Sequence, residues 1–315
     1  MDLLNKKILL TGGRGFLGSS IYKKLLERGV PAENITIPDS KQDDLRVQQN
    51  CEQVVKDKHV VIHAAATVGG IGANAEHPGK FFYENAIMGI QLIEEARKAG
   101  VEKFVTIGTI CIYPRETKVP FKEEDIWNGY PTPTTAPYGL AKKMLLVQGQ
   151  SYRQEYGFNA IYLILENLYG PGDNFDPKSS HVIPALIHKV AQAQASKTDH
   201  VDVWGTGVAT REFLYVDDAA EGIIRATENY DKPDPVNLGS GNEIPIKELV
   251  TLIAKEMGFS GEIRWDSTKP DGQLRRGFDI SRARKEFGFN PAMSFEEGLR
   301  HTIEWYRVNI EKPVS

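Results

Sequence analysis

Cysteine is scarce. Cys51 and Cys111 are the only two in 315 residues, too few for a disulfide framework and without the C-x-x-C spacing of a zinc site, so a reducing compartment and no bound metal are expected. Long apolar runs are also missing: no window approaches the roughly 20 residues that a membrane span needs. The N-terminus "MDLLNKKILLTGG" has no basic stretch leading into an apolar run with a cleavage site. A cytoplasmic protein without a membrane partner is expected. Positive charge is not in excess, and a net charge of -4 gives no general attraction to nucleic acid, so any anionic ligand must be held locally. There is no internal repeat and no low-complexity segment. What is present is ordinary for a globular enzyme or binding protein, with 41% apolar and 25% charged residues. The length suits roughly two domains of about 150 residues each.

Short apolar runs alternate with amphipathic segments through the first half: "KKILLTG", "LGSSIYKKLLERG", "NITIP", "HVVIHAAA", a helical stretch, then "KFVTIGT". This is the βαβ rhythm of a parallel sheet covered on both faces. Gly29, Gly100 and Gly157 are placed to end helices. After residue 170 the pattern loosens into a polar loop, a helix at "ALIHKVAQAQA" and mixed strand and turn signals in "HVDVWGTGVATREFLYVDD". "IKELVTLIAKEMG" and "SFEEGLRHTIEWYRVNI" have helical spacing, and Pro233, Pro235, Pro245 and Pro270 mark loops. The expected fold class is α/β: a Rossmann-type doubly wound parallel sheet with a smaller, mostly C-terminal substrate-binding domain. The expected division is residues 1–170, with a returning segment near 212–240, and residues 171–315.

"KKILLTGGRGFLGSSI" carries Gly12, Gly15 and Gly18 between a strand and a helix. Glycines there permit a tight turn and let backbone N–H groups approach a pyrophosphate at the helix N-terminus. At the end of the second strand an acidic residue would serve the ribose of NAD, while basic or hydroxyl residues would accommodate the phosphate of NADP. In "IPDSKQDDLR", Ser40 and Lys41, with Arg14 from the glycine loop, speak for NADP, and Asp39 speaks against it. Asp44 and Leu45 fall where the adenine is expected.

"TTAPYGLAKKMLLVQGQSYRQEYG" opens with threonines able to cap a helix and has Pro137 in the first turn. Tyr138 and Lys142, four apart, leave from one face. A neighbouring ammonium would lower the pKa of a phenol by favouring its phenolate. Y-x-x-x-K alone occurs by chance, but with the glycine loop upstream the chain resembles the extended branch of the short-chain dehydrogenase/reductase superfamily. That resemblance implies that Tyr138 exchanges a proton with the substrate oxygen, that Lys142 binds the nicotinamide ribose and tunes the tyrosine, and that the Thr109 hydroxyl completes the triad.

Within that superfamily, "HAAATVGGIGANAEHP", "CIYP", "NLYGPGDNF", "SSHVIPALI", "VWGTG", "REFLYVDD" and "STKPDGQLRR" together are similar to the GDP-L-fucose synthase family, over nearly the whole chain. The resemblance implies an NADPH-dependent 3,5-epimerase and 4-reductase acting on a GDP-4-keto-6-deoxy sugar. A 4-ketone acidifies the hydrogens on C3 and C5, and the family's base and acid correspond to Cys111 and His181. Side chains two apart in an extended segment share a side, which would set Cys111 beside Thr109. A thiol acts as a base only through its thiolate. By the same resemblance Phe16, Leu17, Ala64, Ala65, Asn167 and His181 contact the cofactor. Arg211, Lys269 and Lys189 meet the diphosphate, Trp204 lines the sugar-nucleotide pocket and Asn167 lies near the sugar. Relatives dimerise through two long helices per subunit, so a homodimer is expected.

The family's "PTN" before "LYGP" is "LEN" here, so Leu165 and the carboxylate of Glu166 enter where nicotinamide and sugar would meet. A reductase or epimerase of another GDP-4-keto sugar, of heptose or colitose type, would share these residues. A nucleotide-sugar 4-epimerase or dehydratase with tightly bound NAD is the remaining enzymatic alternative, although "TICIYP" lacks the acidic pair usual in a dehydratase.

Overall fold

Strand β1 (Ile8–Thr11) is buried along its whole length, and its side chains divide by parity: Ile8 and Leu10 enter one apolar cluster, Leu9 another. A strand covered on both faces needs no apolar–polar alternation, so "ILLT" is an unbroken run. In this computed structural model, which describes residues 1–177, 179–269 and 271–311, the first half continues with α1 (Phe16–Glu27), β2 (Ile35–Thr36), α2 (Gln48–Val54), β3 (Val60–His63), α3 (Ile71–Glu76), α4 (Pro78–Lys98), β4 (Lys103–Thr109), α5 (Ala136–Tyr156) and β5 (Ala160–Leu165). Then follow β6 (Asn167–Tyr169), α6 (Val182–Ala195), β7 (His200–Trp204), β8 (Thr210–Tyr215), α7 (Val216–Asn229) and β9 (Val236–Leu238). The chain closes with β10 (Glu243–Pro245), α8 (Ile246–Met257), β11 (Glu262–Asp266), α9 (Ser281–Phe287) and α10 (Phe295–Asn309). Pro270, one of the loop prolines, lies outside the described residues.

Six strands pair in parallel in the order β2-β1-β3-β4-β5-β9. This is the Rossmann-type sheet expected from the rhythm of the first half. The order reverses at β1, with β2 on one side and β3 on the other, and the crevice at such a reversal lies beyond the carboxyl ends of the strands. β9 reaches this sheet from far along the chain, and its register sets Val236 opposite Leu163. α7, just before it, packs against α1.

The remaining strands form a three-stranded sheet, β10-β8-β6, and a parallel pair, β11-β7. With α6, α8 and α10 they enclose a separate core that includes Phe175, Ile183, Leu186, Leu249, Ile253 and Leu299. Gly29, Gly100 and Gly157 follow α1, α4 and α5 with φ of +84°, +74° and +67°, the left-handed turn that ends a helix without a Cβ penalty. The expected threonine cap on α5 is absent. Thr135 has φ -110° and ψ -1° and is already helical, where a cap residue must be extended, and its hydroxyl turns back to the Thr132 carbonyl at 3.4 Å. Among the described residues no helix is long and apolar enough to cross a membrane.

Candidate active site

Beyond Thr11 the chain turns sharply. Gly12 has φ +70°, and a Cβ there would lie 2.7 Å from the Ala65 nitrogen, so the turn sits directly against Ala64 and Ala65 at the end of β3. A Cβ on Gly18 would run into the Gly12 carbonyl, so α1 also closes onto the loop. Gly15 is the N-cap of α1, no side chain caps the helix and no acid occupies its first turn. The first-turn N–H groups, from Phe16, Leu17 and Gly18, are thus left to an anion. This close-packed, uncapped cradle fits the pyrophosphate of a dinucleotide.

Past β2, Arg14 Nη1 meets Asp39 Oδ2 at 2.5 Å, and the Lys41 N–H donates to Asp39 Oδ1 at 2.9 Å. The backbone bond and the guanidinium together hold the Asp39 carboxyl below its usual range. Ser40 and Lys41 are exposed beside it. Asp44 is engaged by Arg46, whose Nε and Nη2 donate to its carboxylate at 2.8 to 3.1 Å. Leu45 is buried with Leu9, Cys51 and Val61, so it offers a ligand only its backbone. Cys51 donates its thiol to the Leu45 carbonyl at 3.2 Å, and burial pushes that thiol up to about 12. It is an inert core residue.

At the end of β4 the chain does not remain extended. Residues Ile110–Ile112 form a 3-10 turn, in which Thr109 Oγ1 accepts from the Cys111 N–H at 3.3 Å. The alternation that would set Thr109 and Cys111 on one side therefore does not apply, and the turn joins them instead. Cys111 is half-buried, with part of its surface against the cluster that contains Ile110, Ile112 and Tyr113. A Cβ on Gly139 would strike the Cys111 carbonyl. The start of α5 thus lies directly on the turn and brings the Tyr138 phenol near the Thr109 hydroxyl.

One helical turn on, Lys142 is 2% exposed and its carbonyl accepts from the Tyr162 hydroxyl at 3.0 Å. Burial lowers the Lys142 ammonium to about 8, with no carboxylate offsetting the shift. Nearby, His63 Nδ1 and Thr11 Oγ1 lie 2.8 Å apart, and Thr11 Oγ1 also accepts from the Ala65 N–H at 3.2 Å. Burial and then the Lys142 charge lower His63 to about 3, so its ring is neutral. Tyr138 departs from the sequence expectation. Its pKa is raised, first by burial and then by the Cys111 charge, and the Thr109 hydroxyl only partly opposes this. Desolvation, not the lysine one turn away, sets the direction.

The second region supplies the rim. Asn167 Nδ2 donates to Glu166 Oε1 at 3.0 Å and to the Glu212 carbonyl at 3.2 Å. Arg211 Nη1 donates to the Thr210 carbonyl at 2.7 Å and Nη2 to the Asp271 carbonyl at 3.2 Å. Burial, then the Arg276 charge, lower Arg211 to about 10. Asp271 accepts from the N–H and hydroxyl of Thr206, both at 2.7 Å, tying "VWGTG" to "KPDG". On this rim the Trp204 ring is 68% exposed. The ammoniums of Lys189 and Lys269 stand 5.8 and 5.7 Å from its centroid, and Lys189 also donates to the Asp202 carbonyl at 2.9 Å. His181 is the exposed N-cap of α6, and the protein around it lowers its pKa by desolvation. The Ser179 carbonyl, two residues before His181, accepts from Gly70 N–H at 3.1 Å. Among the described residues no hydrogen bond joins His181 to Cys111 or Tyr138. The structure therefore gathers Thr109, Cys111, Tyr138 and Lys142 at one point and Trp204, Lys189 and Lys269 at another.

The model of the NAD dependent epimerase/dehydratase family matches residues 8–239. The chain belongs to that family. It is 39% identical over 307 residues to the probable GDP-L-fucose synthase 1 of Oryza sativa subsp. japonica, covering 96% of this chain and 93% of that protein. A GDP-6-OMe-4-keto-L-xylo-heptose reductase from C. jejuni superposes with a TM-score of 0.90 at 28% identity, over 98% of this chain and 99% of the other. A GDP-L-fucose synthetase from Naegleria fowleri bound to NADP superposes with a TM-score of 0.87 at 27% identity, over 98% and 96% of the two chains.

Three residues of this family member escape a reading of the sequence. Gly139 had a signal, a glycine inside a helix, which marks close approach. His63 had none, because its role comes from Thr11 on the neighbouring strand. Glu212 is fully buried and clasped by the N–H groups of Gly241 at 2.7 Å and Phe278 at 2.6 Å. Those partners are distant in sequence, so nothing local announces the anchor.

Proposed function

We propose that this protein is an NADPH-dependent 3,5-epimerase and 4-reductase of a GDP-4-keto-6-deoxy sugar, yielding GDP-L-fucose or a close relative. The observation that carries the reading is the joining of Thr109, Cys111 and Tyr138 by the turn after β4, where one carbonyl can meet a thiol, a hydroxyl and a phenol together. Thr109 and Tyr138 hold the C4 oxygen. With the ketone polarised, Cys111 as thiolate removes the hydrogen from C5 and His181 returns a proton on the opposite face. Once the thiol has lost its proton to solvent and the imidazole has regained one, the same pair inverts C3. NADPH, when bound, supplies a hydride to C4. Tyr138 gives its proton to the C4 oxygen, and Lys142 orients the ribose and supplies the adjacent positive charge. Arg211, Lys189 and Lys269 offset the diphosphate charge, with Trp204 beside them.

The test is to incubate the protein with NADPH and a panel of GDP-4-keto sugars and to identify products by NMR. Inverted, reduced 6-deoxyhexose supports the reading. Reduction confined to a heptose would favour the second reading, a GDP-4-keto-heptose reductase, which the likeness to the C. jejuni reductase motivates.

Arg14 and Asp39 bear on cofactor choice. The guanidinium faces the carboxylate at 2.5 Å, while a 2′-phosphate would compete for the guanidinium and be repelled by the carboxylate. Asp39→Asn is expected to lower the KM for NADPH about threefold to tenfold, a change typical of one charged contact, and to raise the KM for NADH. Initial rates with each cofactor check it, and an unchanged ratio would remove Asp39 from the selection.

A cytoplasmic homodimer fits the same reading. α4 and α5 pack against each other and leave Phe82, Tyr83, Met144 and Val147 exposed, which suits a bundle of four helices between two copies.

A further inference from the structure

Glu166, between β5 and β6, is 4% exposed. Its N–H donates to the Leu238 carbonyl at 3.3 Å, which fixes the backbone to β9. Its Oε1 accepts from Asn167 Nδ2 at 3.0 Å. Its Oε2 is buried and has no hydrogen-bond partner among the described residues. Glu212, Arg276, Cys111 and Arg211 are the charged and titratable groups that face it. Glu212 is engaged by backbone N–H groups, and Arg211 by the Thr210 and Asp271 carbonyls. Burial and then the Glu212 charge push the Glu166 carboxyl well above the usual carboxylate range, a direction that favours the form carrying a proton.

A buried polar atom without a partner is costly, and native structures keep few of them. This one lies among Cys111, where the ketone is handled, and Arg211, which faces the diphosphate. A hexose whose ketone met Cys111 and whose diphosphate met Arg211 would span that gap and present ring hydroxyls there. We infer that Glu166 reads the sugar: its Oε2 hydrogen-bonds a ring hydroxyl of the GDP-linked hexose. This rests on the reading under Proposed function.

Calorimetric binding of GDP-mannose and of GDP to the NADP-loaded protein separates the cases. Glu166→Leu should weaken GDP-mannose about tenfold or more, the loss of one buried hydrogen bond, and leave GDP within about twofold. Glu166→Gln, which keeps the shape and a donor, should stay within about threefold of wild type for both ligands. Should Glu166→Leu fail to fold, Glu166→Met carries the same comparison. Unchanged GDP-mannose binding in the apolar variant overturns the inference. So does an equal loss of GDP, which would mean that Glu166 acts through Arg276, whose Nε is also buried without a partner. Wild-type protein binding UDP-glucose as tightly as GDP-mannose would instead sink the nucleotide assignment itself, a result visible before any variant is made.

Discussion

Replacing Tyr138 with phenylalanine is expected to cut NADPH oxidation about a thousandfold, within the range of a lost general acid, while solvent exchange at C3 and C5 persists. The phenol beside Thr109 is the group assigned to give a proton to a C4 alkoxide, and burial holds that proton firmly by raising the pKa. Its partner sets the pH dependence. Lys142 at about 8 is charged below that pH and neutral above it, so reduction should fall as pH rises through about 8, well before the phenol titrates. The same shift acts on stability. Between about 8 and the ordinary lysine value near 10.5 the unfolded chain binds more protons than the native one, so stability rises with pH across that window. Lys142→Met should therefore melt higher than wild type at neutral pH although it reduces poorly. Stopped-flow NADPH oxidation and thermal melts from pH 6 to about 10 check both. Undiminished oxidation in Tyr138→Phe would discard the acid assignment.

Cys111→Ser should abolish deuterium uptake from solvent into the 4-keto sugar, by at least about a hundredfold, because a serine hydroxyl holds its proton far more tightly than a thiol. The exchange is nearly isosteric and leaves Gly139 and the turn after β4 undisturbed. Hydride transfer should continue, and the product should accumulate as the 4-reduced sugar without inversion. Mass spectrometry of sugar recovered from deuterated buffer measures the exchange, and NMR identifies the epimer. If uptake survives in this variant, the thiol is not the base.

The sheet was legible in the sequence because strands buried on both faces are unbroken apolar runs, and the runs at β1, β3 and β4 lie where the structure has them. Helix ends were legible at Gly29, Gly100 and Gly157, since a left-handed turn selects glycine. The threonine cap on α5 was not, because Thr135 turns its hydroxyl to Thr132. At the site, motif types and their order were readable and the local geometry was not. The hydroxyl of Thr109 itself accepts the Cys111 N–H and winds the chain into a turn, so the strand periodicity that set the two side by side ends one residue too early. Charge was misjudged for a related reason: the lysine beside Tyr138 was visible from spacing, while the burial that raises the phenol arises only when α5 packs onto the turn after β4. Asp39 and Glu212 show the same limit, because their partners come from other segments.

The late arrival of β9 beside β5 has a practical result for anyone wishing to shuffle parts between related enzymes. A fragment ending near residue 170 would leave the flank of β5 open, exposing unpaired amide and carbonyl groups and the apolar side chains of Leu163 and Leu165. Such a piece would be prone to aggregate, and a chimera joined at that point would need the strand and α7 from the same parent as the sheet. Exchanging α6 and α8 while retaining residues 210–240 is the division that the pairing permits.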